Sequence, residues 1–221
     1  MPDSKSILIT LAHPRSPAAE AYRALRANLS LYALEHPLHA LVVTSAAPGE
    51  DKSIALANLA VTMAQGGQRV ILVDADLRHP ALHELFNAPN ERGLGTLLDG
   101  QDALSAPPLC PVADVENLQL LTSGPLPLDP AAQLGSRRME EVVAALHKRA
   151  DTVLLDAPPI LAATDAAVLG MKVDGVLLVV KAGHTSRDHI RQAKERLEKA
   201  HVRIVGVALM NAAPDKSLGG Y

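Results

Sequence analysis

Six short apolar runs, rich in Val, Leu and Ile, recur along this chain at Ala40–Ser45, Arg69–Val73, Leu118–Thr122, Thr152–Leu155, Gly175–Val180 and Arg203–Leu209. Each is the length of a strand and apolar enough to be buried on both faces. Between them lie segments with helical signals. Lys52–Gln65 is stopped by Gly66-Gly67, and Pro80–Phe86 and Gly93–Asp99 are short. Ala131–Ala150 reads as two pieces meeting at Gly135-Ser136, Thr164-Asp165 opens a helix to about Met171, and Ser186–Ala200 is amphipathic. Residues 105–117 read as a loop. Strands alternating with helices predict an α/β fold: one doubly wound, mostly parallel sheet with helices on both faces. Ahead of it, residues 1–16 read as an extended lead. Ser16-Pro17 then starts a helix to about Ala33, with Ser as cap, Pro in the first turn and Glu20 just inside. The expected organisation is one domain over 1–221: a lead and helix (1–38), a core (39–211) and a tail (212–221).

Composition narrows the function. The hydrophobic fraction is 48%, yet there is no Trp, one Phe and three Tyr, so the core must be aliphatic. A net charge of −3 gives no reason to expect nucleic acid. A single cysteine, Cys110, excludes an internal disulfide and fits a reducing compartment. The nine His show no metal-ligand spacing. No apolar run reaches the roughly 18 residues of a membrane span, and the apolar stretch near the start is too short for a signal peptide. A cytoplasmic protein is expected.

The chemistry concentrates where strands end. After the first run comes Ala46-Ala47-Pro48-Gly49-Glu50-Asp51-Lys52-Ser53-Ile54, a turn opening into an apolar helix. A phosphate-binding loop uses this order: backbone N–H groups and the positive helix end hold phosphate oxygens, Lys52 reaches the outer phosphates, and the Ser53 hydroxyl binds Mg²⁺. Against the strict G-x-x-x-x-G-K-[ST] template, Ala46 and Asp51 stand at the two glycine positions. Taken alone, Lys-Ser after a turn also suits an ordinary helix cap. Asp74-Ala75-Asp76 follows the second run, and its two carboxylates at i and i+2 are expected to point the same way. Asp156 closes Val153-Leu154-Leu155. Acids at the carboxyl ends of parallel strands are costly to desolvate without a cation, and Mg²⁺ accepts such oxygens. Glu20, Arg23 and Arg26 recur at three-residue steps on one helix face, either as a solvated charged face or as a surface for a neighbouring subunit.

These residues resemble the cytoplasmic kinase domain of bacterial tyrosine kinases of the Wzc/CapB type, within the MinD/ParA-like P-loop ATPases. Glu20-Ala21-Tyr22-Arg23-Ala24-Leu25-Arg26 is similar to the family's E-x-x-R-x-x-R motif, Val70–Arg78 to its Walker A′ motif, and Val153–Pro159 to Walker B. The resemblance covers almost the whole chain. It implies an autophosphorylating protein-tyrosine kinase that uses Mg·ATP in capsule or exopolysaccharide synthesis and export. It also implies a ring-like homo-oligomer formed through Glu20, Arg23 and Arg26, a transmembrane activator or co-polymerase partner, and a place at the inner face of the membrane. In the implied roles, Pro48–Ile54 hold nucleotide, Lys52 steadies the β- and γ-phosphates, and Asp74 serves as base or orienter. Ser53, Asp76 and Asp156 surround Mg²⁺, Asn211 reads the base, and Tyr221 accepts phosphate.

Three departures stand out. Asp51 replaces a glycine whose backbone can take left-handed geometry and approach phosphate closely. Asp tolerates that geometry better than most residues. Its charge is the larger issue: at about 4 Å and an effective dielectric near 20, one like-charge contact costs roughly 4 kcal/mol, about a thousandfold in affinity. The second is that the tail carries one tyrosine where the family has several. The third is that Met210-Asn211 sets the asparagine one position late. A degenerate kinase acting as a scaffold, or a regulatory MinD/ParA-like ATPase, are the alternatives.

Overall fold

The computed structural model describes residues 8–213; Tyr221 lies outside them. The described residues form one seven-stranded sheet: β1 (Ala40–Ser45), β2 (Val70–Asp74), β3 (Cys110–Pro111), β4 (Leu118–Leu121), β5 (Thr152–Asp156), β6 (Gly175–Lys181) and β7 (Ile204–Met210). Their order is β3-β4-β2-β5-β1-β6-β7, all parallel except the β3–β4 pair. The expected doubly wound α/β architecture is what the chain adopts.

The apolar runs of the central strands are continuous because each serves two cores. The last run differs from the expectation of burial on both faces, since β7 is an edge strand and leaves Val207 and Leu209 exposed. Along β1, Val42 joins one core while Leu41 and Val43 join the other. Likewise Ile71 and Val73 part from Val70 and Leu72 on β2, and Val153 and Leu155 from Leu154 on β5. Side chains alternate faces along a strand, so a strand covered on both sides has no polar face to spare.

One face is covered by α1 (Ile9–Ala12), α2 (Pro17–Glu35), α3 (Lys52–Gln65) and α4 (Leu82–Leu85). The other is covered by α5 (Leu94–Leu98), α6 (Pro130–Gly135), α7 (Arg137–His147), α8 (Asp165–Gly170) and α9 (Arg187–Lys199). Caps fix where several begin. The Ser16 hydroxyl accepts from the Ala19 amide with Pro17 in the first turn, Ser136 caps α7, and Ser186 caps α9.

Two segments differ from the sequence expectation. The lead is not extended throughout: α1 forms and is tied down by Thr10, whose amide and hydroxyl both donate to Asn58 Oδ1 at 3.0 and 2.9 Å. The segment 105–117 is not all loop, because Cys110–Pro111 pair antiparallel with β4. Pro111 sits at the sheet edge, where a missing N–H costs no ladder bond. Helix α2 also runs two residues past Ala33, to Glu35.

The register brings the acids together. Asp74 lies directly opposite Asp156 across β2 and β5, and Val43 lies opposite Asp156 across β1 and β5. The carboxyl ends of these three central strands therefore converge where the chain, having run from β1 outward through β2 and β4, returns to insert β5. Such a reversal is where open α/β sheets bind ligands.

Candidate functional site

A cleft of ≈ 870 Å³ opens at this end of the sheet. One wall is the turn Pro48–Ile54; Asp76, Arg78 and His79 follow from β2, and Pro158-Pro159 from β5. The turn takes the shape its glycine-and-acid sequence permits. Gly49 has φ +80° and Asp51 φ 57°, ψ 29°, both left-handed. Asp51 thus adopts the conformation for which the template uses glycine. Its carboxylate pairs with Lys181 Nζ at 2.6 Å. The first turn of α3 follows, with N–H groups at Lys52–Ile54 that have no partner inside the helix.

Glu50 was expected among the ligand-holding residues. Its side chain is buried and braces the loop: one oxygen accepts from the Ala46 amide at 2.9 Å, the other from the Thr185 hydroxyl at 2.7 Å.

Lys52 is almost wholly buried. Its Nζ lies 2.8 Å from Asp156 Oδ1 and 2.9 Å from Asp76 Oδ2, and it donates to Ser53 Oγ at 3.3 Å. The Ser53 hydroxyl donates to the other oxygen of Asp156. Burial pulls the Lys52 ammonium down, but the carboxylates of Asp156 and Asp76 outweigh it and hold the ammonium above its ordinary value. Burial pushes Asp156 above the usual carboxylate range, an increase that Lys52 and Ser53 only partly offset.

The two acids after β2 do not share a direction. Asp76 lies beyond the strand end, free of its pleat; one oxygen faces Lys52 and the other accepts from the Arg78 and His79 amides at 3.3 and 3.0 Å. Asp74 is still in the strand and fully buried. Its Oδ2 accepts from the Ala81 and Leu82 amides at 3.0 and 2.9 Å, anchoring the start of α4. Its Oδ1 is buried with no hydrogen-bond partner. Burial, and then the charge of Asp156, push the Asp74 carboxyl up to about 7.

Two of these buried acids, Asp76 and Asp156, therefore share one buried ammonium, while Asp74 beside them keeps one oxygen without a partner. Surplus negative charge of this kind suits a divalent cation, and the donors are hard oxygens, the type Mg²⁺ prefers. Ser53, Asp76 and Asp156 supply oxygens of that type, here engaged by Lys52, by one another and by the Arg78 and His79 amides.

Other expected residues lie elsewhere. Asn211 is exposed, with φ 55°, just past β7 and outside the cleft lining. Arg23 forms an exposed pair with Glu20 at 2.7 Å and donates to the Pro14 carbonyl at 2.9 Å. Arg26 turns inward, and its Nη1 donates to the Thr62 carbonyl in the last turn of α3 at 3.0 Å. Gly66 leaves room for this: a Cβ there would lie 2.1 Å from Arg26 Nη1.

Several cleft residues escaped the sequence reading. Arg78 lines the cleft and grips the fully buried Asp165 with two bonds of 2.8 and 3.0 Å. Lys181 and Thr185 brace the loop. The available signal was position: Lys181 closes β6 at the ligand end of the sheet.

Fold and site together define a P-loop nucleotide-binding protein. The ParA family model, described as an NUBPL iron-transfer P-loop NTPase, matches residues 37–212. The chain is 38% identical to the tyrosine-protein kinase YwqD of Bacillus subtilis over 92% of its own length and 85% of that protein. It is 33% identical to the putative tyrosine-protein kinase CapB of Staphylococcus aureus, over 94% and 90%. The solved kinase domain of the Escherichia coli tyrosine kinase Etk superposes with a TM-score of 0.86 at 33% identity, covering 97% of this chain and 84% of that one. Of full-length Etk the chain spans 29%. The chain belongs to the ParA-like P-loop NTPases and, within them, to the bacterial tyrosine-protein kinases.

Proposed function

We propose that this chain is an ATP-dependent, autophosphorylating protein-tyrosine kinase serving capsule or exopolysaccharide synthesis and export. The observation that carries it is the meeting of Lys52, Ser53, Asp76 and Asp156 at the mouth of α3, in a cleft large enough for a nucleotide. Relatives named as tyrosine kinases supply the acceptor class. The iron-transfer activity in the family description finds no support in this sequence, whose lone Cys110 offers no paired thiolates.

Phosphoryl transfer asks for position and charge neutralisation rather than covalent help. The tyrosine oxygen bonds to the γ-phosphorus, the bond to the β–γ bridging oxygen breaks, ADP leaves, and the phenolic proton passes to a base. Backbone N–H groups at the start of α3 hold the phosphates. Lys52 exchanges contact with Asp76 and Asp156 for contact with the outer phosphates. Ser53, Asp76 and Asp156 would hold Mg²⁺, which would supply charge neutralisation to the transferring phosphoryl group. Asp74 supports the site by fixing α4 beside the cleft through the Ala81 and Leu82 amides, and its unpartnered Oδ1 would be the oxygen that orients the tyrosine hydroxyl or takes its proton.

Ring-like self-association through the Glu20–Arg23 face of α2 belongs to the same proposal, as do a transmembrane activator partner and a place at the inner face of the membrane. Among the described residues, no helix is long and apolar enough to cross a membrane. The test is incubation with γ-labelled Mg·ATP, with and without a candidate activator, followed by phosphosite mapping. Label on Tyr221 that disappears in Tyr221→Phe is expected. Release of labelled inorganic phosphate with no labelled protein would favour a regulatory ATPase instead.

A further inference from the structure

The template's glycine is an acid here, yet the loop keeps the shape that glycine would give it. Backbone strain is met by residue type, since Asp is among the few non-glycine residues that visit left-handed geometry. Charge is met by a residue 130 positions away in sequence. Lys181 Nζ lies 2.6 Å from the Asp51 carboxylate and donates to the Gly49 carbonyl at 3.3 Å.

Lys181 is itself held in place. Its backbone N–H donates to Thr185 Oγ1 at 3.0 Å, the Thr185 hydroxyl donates to Glu50, and Glu50 accepts from the Ala46 amide. The turn after β6 is thus joined to the phosphate loop twice, once by charge and once by a hydrogen-bonded chain. Tyr22 of α2, whose hydroxyl donates to Met210 Sδ at 3.7 Å, also feels this carboxylate: burial first, and then the charge of Asp51, push its phenol up to about 12.

We propose that Lys181 is a positioning residue of the phosphate loop, cancelling the charge of Asp51 so that a loop with an acid in place of glycine still accepts a nucleoside triphosphate. This rests on the nucleotide reading above. The pair is one functional unit: the acid without its lysine is a defect, whereas the two together, or a loop without the acid, accept the nucleotide.

The test is a double-mutant cycle read by calorimetric binding of Mg·ATP to the full chain. Lys181→Ala is expected to weaken binding about 10- to 100-fold, the effect of one bared, partly screened carboxylate beside the phosphates. In an Asp51→Gly background, the same change is expected to cost less than about 3-fold, because no charge remains to bare. Lys181→Arg is expected to keep most of the affinity, and salt is expected to weaken the wild type less than it strengthens Lys181→Ala. Should Lys181→Ala fail to fold, Lys181→Gln carries the comparison.

Equal losses in both backgrounds would overturn the proposal and make Lys181 a direct ligand contact. No loss in either would also overturn it. Tight binding by Asp51→Gly with none by the wild type would refute compensation while leaving the nucleotide site standing. Absence of binding by the wild type and every variant would sink the nucleotide reading and this proposal with it.

Discussion

Replacing Lys52 by Met tests the buried charge cluster on stability, independently of catalysis. The substitution keeps much of the side chain's length and removes the ammonium that Asp76 and Asp156 share at 2.9 and 2.8 Å. Both acids are almost fully buried and Asp74 is fully so. Breaking a buried pair by deleting one partner costs about 3–5 kcal/mol, and the acids recover part of that by taking up protons. A loss of about 3 kcal/mol at pH 8 is expected. At roughly 2–4 °C per kcal/mol for a chain of this size, the melting temperature falls by about 6–12 °C. Without Lys52 the Asp156 carboxyl, already held above the usual carboxylate range by burial, rises further above its unfolded value. The folded state then binds more protons than the unfolded one, so the deficit grows as pH rises and shrinks toward pH 5. Mg²⁺ should restore stability to the variant more than to the wild type, since it binds a site made more negative. Thermal melts in chelator and in Mg²⁺, at pH 5.5 and 8, read all of this. A deficit independent of both pH and Mg²⁺ would mean that Lys52 acts through its aliphatic stem, and would refute the charge argument.

Three further outcomes follow from named contacts. With the Asp74 carboxyl raised to about 7 from an ordinary value near 3.8, the folded state holds a proton that the unfolded state has lost between those limits, so stability falls as pH climbs through that window. In metal-free buffer, Asp74→Asn should remove a pH-dependent part of the unfolding free energy of about 4 kcal/mol, and an unchanged slope between pH 4 and 7 would contradict the assignment. Glu50→Ala strands the Ala46 amide and the Thr185 hydroxyl, and urea titration should show a loss of roughly 2–4 kcal/mol together with weaker Mg·ATP binding. Gly93→Ala drives a Cβ to 2.2 Å from the Thr122 carbonyl and 2.5 Å from the Gly124 amide, both backbone atoms. It should cost about 3 kcal/mol or prevent folding, as judged by soluble yield and melting temperature.

The sheet was legible because each strand carries a local signature that tertiary structure does not override. Val, Leu and Ile are continuous where both faces are covered, and the β1, β2 and β5 runs each end in the turn or acid that the cleft uses. Residue type alone also foretold that Asp51 would tolerate left-handed geometry. What stayed hidden was set by distance in the chain. Nothing near Asp51 names Lys181 as its partner, and nothing near Thr10 names Asn58, whose side chain turns an expected extended lead into α1. The parting of Asp74 from Asp76 was missed for a local reason: an i, i+2 rule holds only while the strand lasts, and β2 ends at Asp74. Arg26 illustrates the limit of face counting. It shares a helix face with Glu20 and Arg23 in projection, yet its length lets it reach the carbonyl of Thr62.

Helix α3 behaves like a pushrod. Its opening turn presents Lys52 and Ser53 to the cleft, and its closing turn is gripped by the guanidinium of Arg26. Fourteen residues at 1.5 Å each set the two ends about 21 Å apart, and a close-packed sleeve along its flanks leaves it little slack. The carbonyl that Arg26 holds at one end of this rod and the pair that faces the cleft at the other therefore stand on a single stiff element.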